Sequence, residues 1–237
     1  MSEKILTLAL PSKGRLMDKT IKLFASIGMT IKKTGHERGY RGKIVEFEDV
    51  EVAFLSASEI AHDLRSGRIH MGVTGEDLVR ETIADHQRRV SFIKPLGFGH
   101  ADVIVAVPKS WLDVESVADL EEVGVQFQKY HGRRLRLATK YVNLTGRFFA
   151  RNGFFGYRIV GSLGATEGAP ASGSAELIVD ITSTGETLIA NHLKILKDGV
   201  ILKSQANLVA SRSADWTNAA IETRNKIEQL LLDAQTS

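Results

Sequence analysis

The sequence contains no cysteine, which excludes disulfide bonds, thiolate metal sites and cysteine nucleophiles. It also lacks any apolar run close to the roughly 20 residues that a membrane-spanning helix needs. Only Met1–Lys4 precede the first strand-like segment, so we expect no signal peptide and a cytoplasmic location. No low-complexity segment interrupts the chain. These absences favour an ordinary globular protein.

The charges are nearly balanced, with a net charge of +3 and a pI of about 9.1. The nearest candidates for a basic face are the short clusters Arg88-Arg89 and Arg133–Arg136, and no helix-turn-helix or aromatic platform accompanies them. The histidines are scattered without the spacing of metal ligands, so we expect no structural zinc. We therefore expect neither a nucleic-acid partner nor a membrane partner.

Apolar runs of strand length alternate with amphipathic segments along the chain, which predicts an α/β protein. The predicted strands are Ile5–Leu10, Ile44–Glu48, Val52–Leu55, Ile69–Thr74, Val90–Ile93, Val103–Val107, Leu135–Ala138, Arg158–Gly161 and Leu177–Ile181. The predicted helices are Arg15–Ile27, Ala57–Ser66, Gly75–Asp85, Asn143–Asn152, Thr187–His192 and Ala214–Gln235.

Two segments predict crossings between lobes. Lys94–His100 is rich in proline and glycine, and Lys197–Gly199 is a predicted turn near the return crossing. We expect lobe I to comprise residues 1–97 and about 198–237, and lobe II to comprise residues 98–197. This organisation predicts a two-lobed α/β fold like that of periplasmic binding proteins, with a ligand cleft between the lobes.

The segment Glu176–Leu188 has the pattern of a phosphate-binding turn. A buried strand ends on Asp180, and a hydroxyl-rich turn then opens a helix, where backbone N–H groups and the helix dipole favour an anion. The expected phosphate contacts are Thr182, Ser183, Thr184, Gly185, Glu186 and Thr187. Asp180 stands where open α/β sheets place ligands, and it suits sugar hydroxyls or a metal. The alternative is an ordinary strand-to-helix turn capped by Ser183 or Thr184.

A similar turn occurs earlier in the chain. Thr74–Leu78 repeats the pattern of Thr184–Leu188 after a predicted strand. We interpret the two as equivalent turns of two similar lobes, which would face one another across the expected cleft.

The same region resembles a known family signature. Its matching positions are Glu167, Gly173–Ala175, Ile178–Ile181 and Thr184–Leu188, and further matches occur at Leu10–Leu16 and Ala138–Asn143. This pattern resembles the ATP phosphoribosyltransferases, which open histidine biosynthesis. The resemblance implies transfer of the phosphoribosyl group of phosphoribosyl pyrophosphate to N1 of ATP. It also implies the same two-lobed fold.

The resemblance assigns expected roles to several residues. Lys13 and Arg15 would bind pyrophosphate and the charge of the leaving group, together with Arg38 or, alternatively, Arg41. Glu167 and Asp180 would bind ribose hydroxyls, and Lys140 would lie near substrate phosphates. Mg²⁺ is expected to bind mainly through substrate phosphates, with Asp180 the one suspected protein ligand. The adenine pocket is not identified.

The length resembles that of the short form of this family. We therefore expect a hetero-oligomer with a regulatory subunit similar to histidyl-tRNA synthetase, and possibly a homodimer of the chain alone. Two other functions are weighed against this one. A cytoplasmic solute-binding or anion-sensing domain would share the fold without catalysis. Another class of phosphoribosyltransferase usually carries two adjacent acids, whereas here Ile181 follows Asp180.

Overall fold

The computed structural model describes residues 6–34, 40–162 and 164–233. The chain forms two compact units: unit 1 is Met1–Gly99 with Gln205–Ser237, and unit 2 is His100–Ser204. Both units are mixed α/β, each built on its own sheet. The chain therefore leaves unit 1 once and returns to it once.

The elements follow one another in the following order. The strands are β1 (Leu6–Pro11), β2 (Ile31–Lys33), β3 (Arg41–Ile44), β4 (Phe47–Leu55), β5 (Met71–Gly75), β6 (Val90–Pro95), β7 (Ala101–Pro108), β8 (Leu135–Thr139), β9 (Tyr157–Gly161), β10 (Leu177–Thr182), β11 (Leu193–Ser204) and β12 (Ala206–Ser211). The helices are α1 (Gly14–Ser26), α2 (Ala57–Ser66), α3 (Glu76–Thr82), α4 (His86–Arg89), α5 (Val117–His131), α6 (Val142–Arg151), α7 (Glu186–Ala190) and α8 (Asn218–Asp233). A short 3₁₀ turn spans Thr166–Gly168.

The sheet of unit 1 has the strand order β2-β3-β4-β1-β5-β12-β6. Strand β1 runs parallel to β4 and β5, so the carboxyl ends of these three strands share one edge of the sheet. Strand β12 lies between β5 and β6 and is antiparallel to both. The last part of the chain therefore completes the sheet that the first part begins.

Strand β1 shows why this sheet is covered on both faces. Leu8 and Leu10 pack into a core formed with α1 and α8, whereas Ala9 between them packs into a second core formed with α2 and α3. Because successive side chains of a strand point to opposite faces, a fully apolar run is buried on both sides. The last helix, α8, packs against the sheet through Ile227 and Leu231, which are buried.

The sheet of unit 2 has the strand order β11-β7-β10-β8-β9. Strand β10 is central, parallel to β8 and antiparallel to β7. The register between β11 and β7 shifts between Ile195 and Val200, which marks an irregularity. The predicted turn at Lys197–Gly199 is wrong, because these residues lie inside β11, and the chain leaves unit 2 only at Ser204.

The cores of unit 2 lie on the two faces of its sheet. Helices α5 and α6 contribute Leu120, Leu144 and Phe149 to the larger core. The smaller core contains Ala169, Ala175 and Leu188, from the segment before β10 and from α7. The segment between the 3₁₀ turn and β10 therefore packs against β10, the strand that leads into the expected phosphate-binding turn.

Several predicted elements are confirmed, and others are wrong. Helix α2 has the predicted bounds, and a capping box between Ser56 and Glu59 fixes its start. The predicted strand Ile44–Glu48 is wrong, because a turn at residues 45–46 separates β3 from β4. Helix α5, which begins with a capping box at Ser116, was not predicted. Among the described residues, no helix is long and apolar enough to span a membrane.

Glu176, just before β10, is held by two arginines. Its carboxylate accepts hydrogen bonds from the guanidinium groups of Arg133 and Arg136 and from the backbone N–H of Arg136. Burial raises the pKa of Glu176, but these hydrogen bonds outweigh that effect and lower it to about 2. The ionised carboxylate is therefore the form that stabilises unit 2.

We expect Glu176→Gln to lower the free energy of unfolding by about 2 kcal/mol at pH 7, after allowance for solvent screening. Because the folded pKa lies below the ordinary 4.5, the contribution is complete above pH 4.5 and is lost as the pH falls towards 2. Urea unfolding at several pH values checks this. The matched control is Glu121→Gln, since Glu121 is exposed on α5. Equal effects of the two substitutions at pH 7 would contradict the prediction.

Candidate phosphoribosyl-binding site

Strand β10 positions the central acid of the site. Leu177, Ile178 and Val179 are fully buried between the two cores of unit 2, whereas Asp180 lies at the strand exit and is partly exposed. One carboxylate oxygen of Asp180 accepts a hydrogen bond from the N–H of Ile181 at 2.9 Å. Asp180 therefore faces the end of the sheet and keeps further acceptor capacity for a ligand.

The turn after Asp180 is shaped by its hydroxyl side chains and one glycine. Gly185 has a φ of +78°, a conformation that favours glycine, and it precedes the first residue of α7. The hydroxyl of Thr182 accepts from the N–H of Gly185 at 2.9 Å, and that of Thr184 accepts from the N–H of Glu186 at 3.4 Å. Side-chain oxygens thus already accept hydrogen bonds from two backbone N–H groups of the turn. This agrees with the alternative interpretation, in which the segment is an ordinary capped strand-to-helix turn.

Other donors of the turn are available to an anion. Ser183 and Thr184 are exposed, and within the described part of the chain their N–H groups have no hydrogen-bond partner. Glu186 and Thr187 are exposed in the first turn of α7. The turn can therefore offer backbone N–H groups and hydroxyls to a phosphate, next to the carboxylate of Asp180.

Two charged residues from other segments of the chain, Glu167 and Lys140, act on Asp180. Burial raises the pKa of Asp180, and the charge of Glu167 raises it further, while the N–H of Ile181 and the charge of Lys140 lower it. The expected residues Glu167, Asp180 and Lys140 are thus electrostatically coupled within unit 2. Two carboxylates and one ammonium group form a polar cluster beside the turn.

The segment carrying Glu167 is fixed by local contacts. The hydroxyls of Ser162 and Thr166 lie 2.8 Å apart, and Thr166 is buried. The ammonium group of Lys140 donates to the carbonyl of Gly164 at 2.9 Å, which ties this segment to the exit of β8. Because Thr166 is anchored, the position of the adjacent Glu167 relative to Asp180 is restricted.

A cavity of about 340 Å³ adjoins this segment, and no sequence pattern marks its position. Its described lining residues are small and uncharged, among them Ala138, Gly161, Gly168 and Ser172.

The basic residues expected to bind pyrophosphate lie in unit 1. Lys13 is the residue before α1, and Arg15 lies in its first turn; both are exposed after the carboxyl end of β1. Arg38 lies outside the described residues. Its alternative, Arg41, forms an ion pair with Glu51 on the neighbouring strand, which favours a structural role for it.

The two turns interpreted as equivalent share position but not conformation. Both follow a strand and open a helix, α3 in unit 1 and α7 in unit 2. However, Gly75 has a φ of −72°, whereas Gly185 has a φ of +78°. Asp77 is buried in the first turn of α3. The two turns are therefore similar in sequence but differ in backbone conformation.

The acidic residues of the site are the candidate protein ligands for a metal. In the described ranges, no group of three or more histidine, aspartate or glutamate side chains could hold a metal ion. The charge of Glu167 acts on Asp180, so the site contains two carboxylates within electrostatic range of each other. Such a pair suits Mg²⁺ that completes its coordination with phosphate oxygens and water.

Comparison with protein families gives a match over most of the chain. A family model described as ATP phosphoribosyltransferase matches residues 56–235. A protein of that name from Nitrobacter winogradskyi is 60% identical over 94% of this chain and 68% of its own length. Another from Rhodopseudomonas palustris is 61% identical over 91% of this chain and 66% of its own length. The chain thus spans about two thirds of the length of these relatives.

Solved structures show the same fold. A chain of the HisG:HisZ ATP phosphoribosyltransferase complex of Thermotoga maritima superposes with a TM-score of 0.71 at 23% identity, covering 96% of this chain and 99% of that chain. A probable amino-acid transporter binding protein of Bacillus subtilis superposes with a TM-score of 0.54 at 11% identity, covering 99% and 92%. The expected two-lobed α/β fold of the periplasmic-binding-protein type is confirmed.

Proposed function

The chain belongs to the ATP phosphoribosyltransferase family, and from that premise we propose that Asp180 to Thr187 hold the phosphoribosyl group during transfer. The family catalyses the first step of histidine biosynthesis, in which phosphoribosyl pyrophosphate and ATP give N1-(5-phosphoribosyl)-ATP and pyrophosphate.

One observation carries the assignment of this site. The turn from Thr182 to Thr187, most of whose residues are exposed, directly follows a partly buried carboxylate at the exit of a central strand. The turn donates hydrogen bonds, and the carboxylate accepts them. This order matches a 5-phosphate followed by ribose hydroxyls, because the two parts of a phosphoribosyl group need donors and acceptors respectively.

The reaction needs no nucleophile from the protein. The lone pair of N1 of ATP forms a bond to C1 of the ribose while the bond from C1 to the pyrophosphate oxygen breaks. Positive charge develops on the sugar ring, and the leaving group takes the bonding electrons. The residues of this chain would contribute by orienting the ribose and by favouring charge in the transition state more than in the ground state.

Each remaining site residue has a proposed part. Asp180 and Glu167 accept hydrogen bonds from the ribose hydroxyls. Lys13 and Arg15, with Arg38, bind the departing pyrophosphate, which a guanidinium fork and an ammonium charge both suit. Lys140 stabilises the ionised form of Asp180 and binds substrate phosphate.

Mg²⁺ fits this proposal through the carboxylates of Asp180 and Glu167. The ion typically binds one or two carboxylates and takes its other ligands from substrate phosphates and water. When bound, it would neutralise part of the charge of the polyphosphates.

We extend the proposal to a partner. The solved relative from Thermotoga maritima is a complex of two kinds of chain. By likeness, this chain would assemble with a regulatory subunit, which we expect to be similar to histidyl-tRNA synthetase. A cytoplasmic location belongs to the same proposal, because both substrates are cytoplasmic metabolites. The non-catalytic binding-domain alternative is not favoured by the family relationship.

The reaction is tested by near-ultraviolet absorbance with ATP, phosphoribosyl pyrophosphate and Mg²⁺, with pyrophosphatase present to draw the reaction forward. We expect an absorbance rise that needs both substrates. The assay is repeated with a regulatory subunit of a related enzyme, because a catalytic chain can depend on its partner. Binding of phosphoribosyl pyrophosphate without turnover in either assay would support a binding domain, and absence of that binding would contradict the proposed site.

Lys140→Met should raise KM for phosphoribosyl pyrophosphate about tenfold, since a hydrogen bond to a charged group contributes about 1.5 to 3 kcal/mol. The value of kcat should change less, because the bond is made in the ground state as well. Initial rates at varied substrate concentration measure both constants. Lys129→Met removes another exposed lysine of unit 2 and serves as control. Equal KM values in both variants would refute the role.

A further inference from the structure

Unit 1 contains a basic cavity that is lined by none of the residues proposed for the transfer reaction. It has a volume of about 330 Å³ and lies between the end of α3, helix α4 and the start of β6. Its described lining includes Arg80, His86, Gln87, Ser91, Phe92 and Arg212. None of the described lining residues is acidic. The cavity therefore has the charge and the hydrogen-bond donors that an anion requires.

The cavity lies at the opposite edge of the sheet from Lys13 and Arg15. Strand β12 is antiparallel to β5, with Ala206 opposite Gly75 and Ala210 opposite Met71. Arg212 directly follows β12 and so lies at the amino-terminal end of β5. Lys13 and Arg15, in contrast, follow the carboxyl end of β1, which is parallel to β5. A ligand in the cavity would thus be separate from these proposed pyrophosphate contacts.

Arg212 is anchored in a way that leaves most of its guanidinium available. Its Nε donates to the hydroxyl of Ser91 at 2.9 Å, and its backbone N–H donates to the carbonyl of Arg89 at 2.8 Å. Across residues 6–34, 40–162 and 164–233, no salt bridge engages Arg212. A fixed planar guanidinium with two terminal amino groups suits a phosphate oxygen pair.

The other wall of the cavity is also held in place. Arg80 donates to Glu76 at 2.7 Å, lies 3.2 Å from the Nε2 of His86, and places its guanidinium 5.6 Å from the ring centre of Phe92. Glu76 offsets part of the charge of Arg80. The positive charge of Arg212 is not offset in this way, so it dominates the side of the cavity formed with Ser91.

We propose that this cavity is a second anion site, in which Arg212 and Ser91 bind the phosphate of a small phosphorylated molecule. The hydroxyl of Ser91 accepts from Arg212 through its oxygen and donates its own proton to the ligand. The terminal amino groups of Arg212 bind the remaining phosphate oxygens. Phe92 provides an apolar surface beside the phosphate for the organic part of the ligand.

Inorganic phosphate is the probe for the test. Backbone amide resonances of the protein are followed by NMR during a phosphate titration at constant ionic strength, with chloride as the replaced ion. We expect saturable shifts at residues 86–92 and 211–213. In Arg212→Ala, the affinity measured at these amides should fall at least about tenfold. Residues 182–187 should respond as in the unchanged protein, which separates this site from the proposed transfer site.

Two further variants make the result decisive. Arg88→Ala removes an exposed arginine of α4 that does not line the cavity, so it should leave the affinity unchanged. Arg212→Lys keeps the charge but loses the fork, so it should weaken binding by a smaller factor than Arg212→Ala. Absence of saturable shifts at residues 86–92 would overturn the proposal. Equal weakening by Arg88→Ala and Arg212→Ala would also overturn it, because it would indicate nonspecific charge attraction.

Discussion

Asp180→Asn should lower kcat/KM for phosphoribosyl pyrophosphate by about 10²- to 10³-fold. The substitution keeps the shape of the side chain but removes the charge that would accept two ribose hydroxyls. Hydrogen bonds to charged groups contribute about 1.5 to 3 kcal/mol each, and two of them account for a loss of this size. Initial rates from the absorbance assay measure the effect.

The pH profile gives an independent check of the same residue. Burial and the nearby Glu167 raise the pKa of Asp180 above its ordinary 3.8. Because the ionised carboxylate is the acceptor, activity should decrease as the pH falls through this raised pKa. The Asn variant should lack that acidic limb. Asp113→Asn, at an exposed position of unit 2, is the matched control. Activity of Asp180→Asn within threefold of the unchanged protein would exclude the proposed role.

Gly67→Ala should lower the free energy of unfolding of unit 1 by about 2 to 5 kcal/mol. Gly67 ends α2 with a φ of +77°, where an alanine costs about 1 to 2 kcal/mol. An added Cβ would also lie 2.3 Å from the carbonyl oxygen of Ser213 and 2.9 Å from the backbone nitrogen of Ala214. Backbone atoms would have to move, which adds a cost of about 1 to 3 kcal/mol.

The segment that Gly67 contacts is itself anchored. The hydroxyl of Ser211 donates to the carbonyl of Leu64 at 2.6 Å and accepts from the N–H of Ser213 at 3.1 Å. Trp216, whose ring nitrogen donates to the carbonyl of Ser211 at 2.7 Å, gives a fluorescence signal for urea unfolding of this region.

Gly28→Ala is the control, since Gly28 has a φ of +79° in the same unit but nothing within 4 Å of an added Cβ. It should cost only about 1 to 2 kcal/mol. Similar losses in the two variants would show that backbone conformation, and not the contact with Ser213, limits this position.

Features encoded by local pattern were predictable from the sequence. The strand that ends on Asp180 and the turn that follows it were expected, because an apolar run, an acid, hydroxyls and glycine occur together within a few residues. The bounds of α2 were also expected, since its amphipathic pattern is regular and its cap is local. These signals do not depend on distant parts of the chain.

Helix α5 was not predicted, because its central glycine is explained by tertiary packing and not by the local sequence. Gly124 stands in its middle, where glycine weakens the helical signal. The structure gives this glycine a packing role: an added Cβ would lie 3.3 Å from the ring of Phe154 and 3.5 Å from the Cα of Gly156. The close packing of the helix against this segment therefore requires glycine, although glycine has a low helix propensity. The sequence alone does not show which distant residues lie opposite Gly124.

The full length of strand β11 and the grouping of Glu167, Asp180 and Lys140 were not predicted either, because both depend on tertiary packing. Lys197–Gly199 has the composition of a turn, yet it lies within β11, where Gly199 is close to the carbonyl of Val105. The coupling of Asp180 to Glu167 and Lys140 depends on how three separate segments pack. The cavity beside Arg212 likewise needs residues from α3, α4 and β6 to come together.

The position of β12 sets an order of events during protein synthesis. A ribosome completes residues 100–204 before β12, so β5 and β6 emerge early but lack the strand that joins them. Unit 2, in contrast, is continuous in sequence, and its first and last strands pair with each other. It can therefore fold while unit 1 still waits for its final strand and helix. A nascent chain halted before β12 would expose the edges of β5 and β6, which is when chaperone binding would matter most.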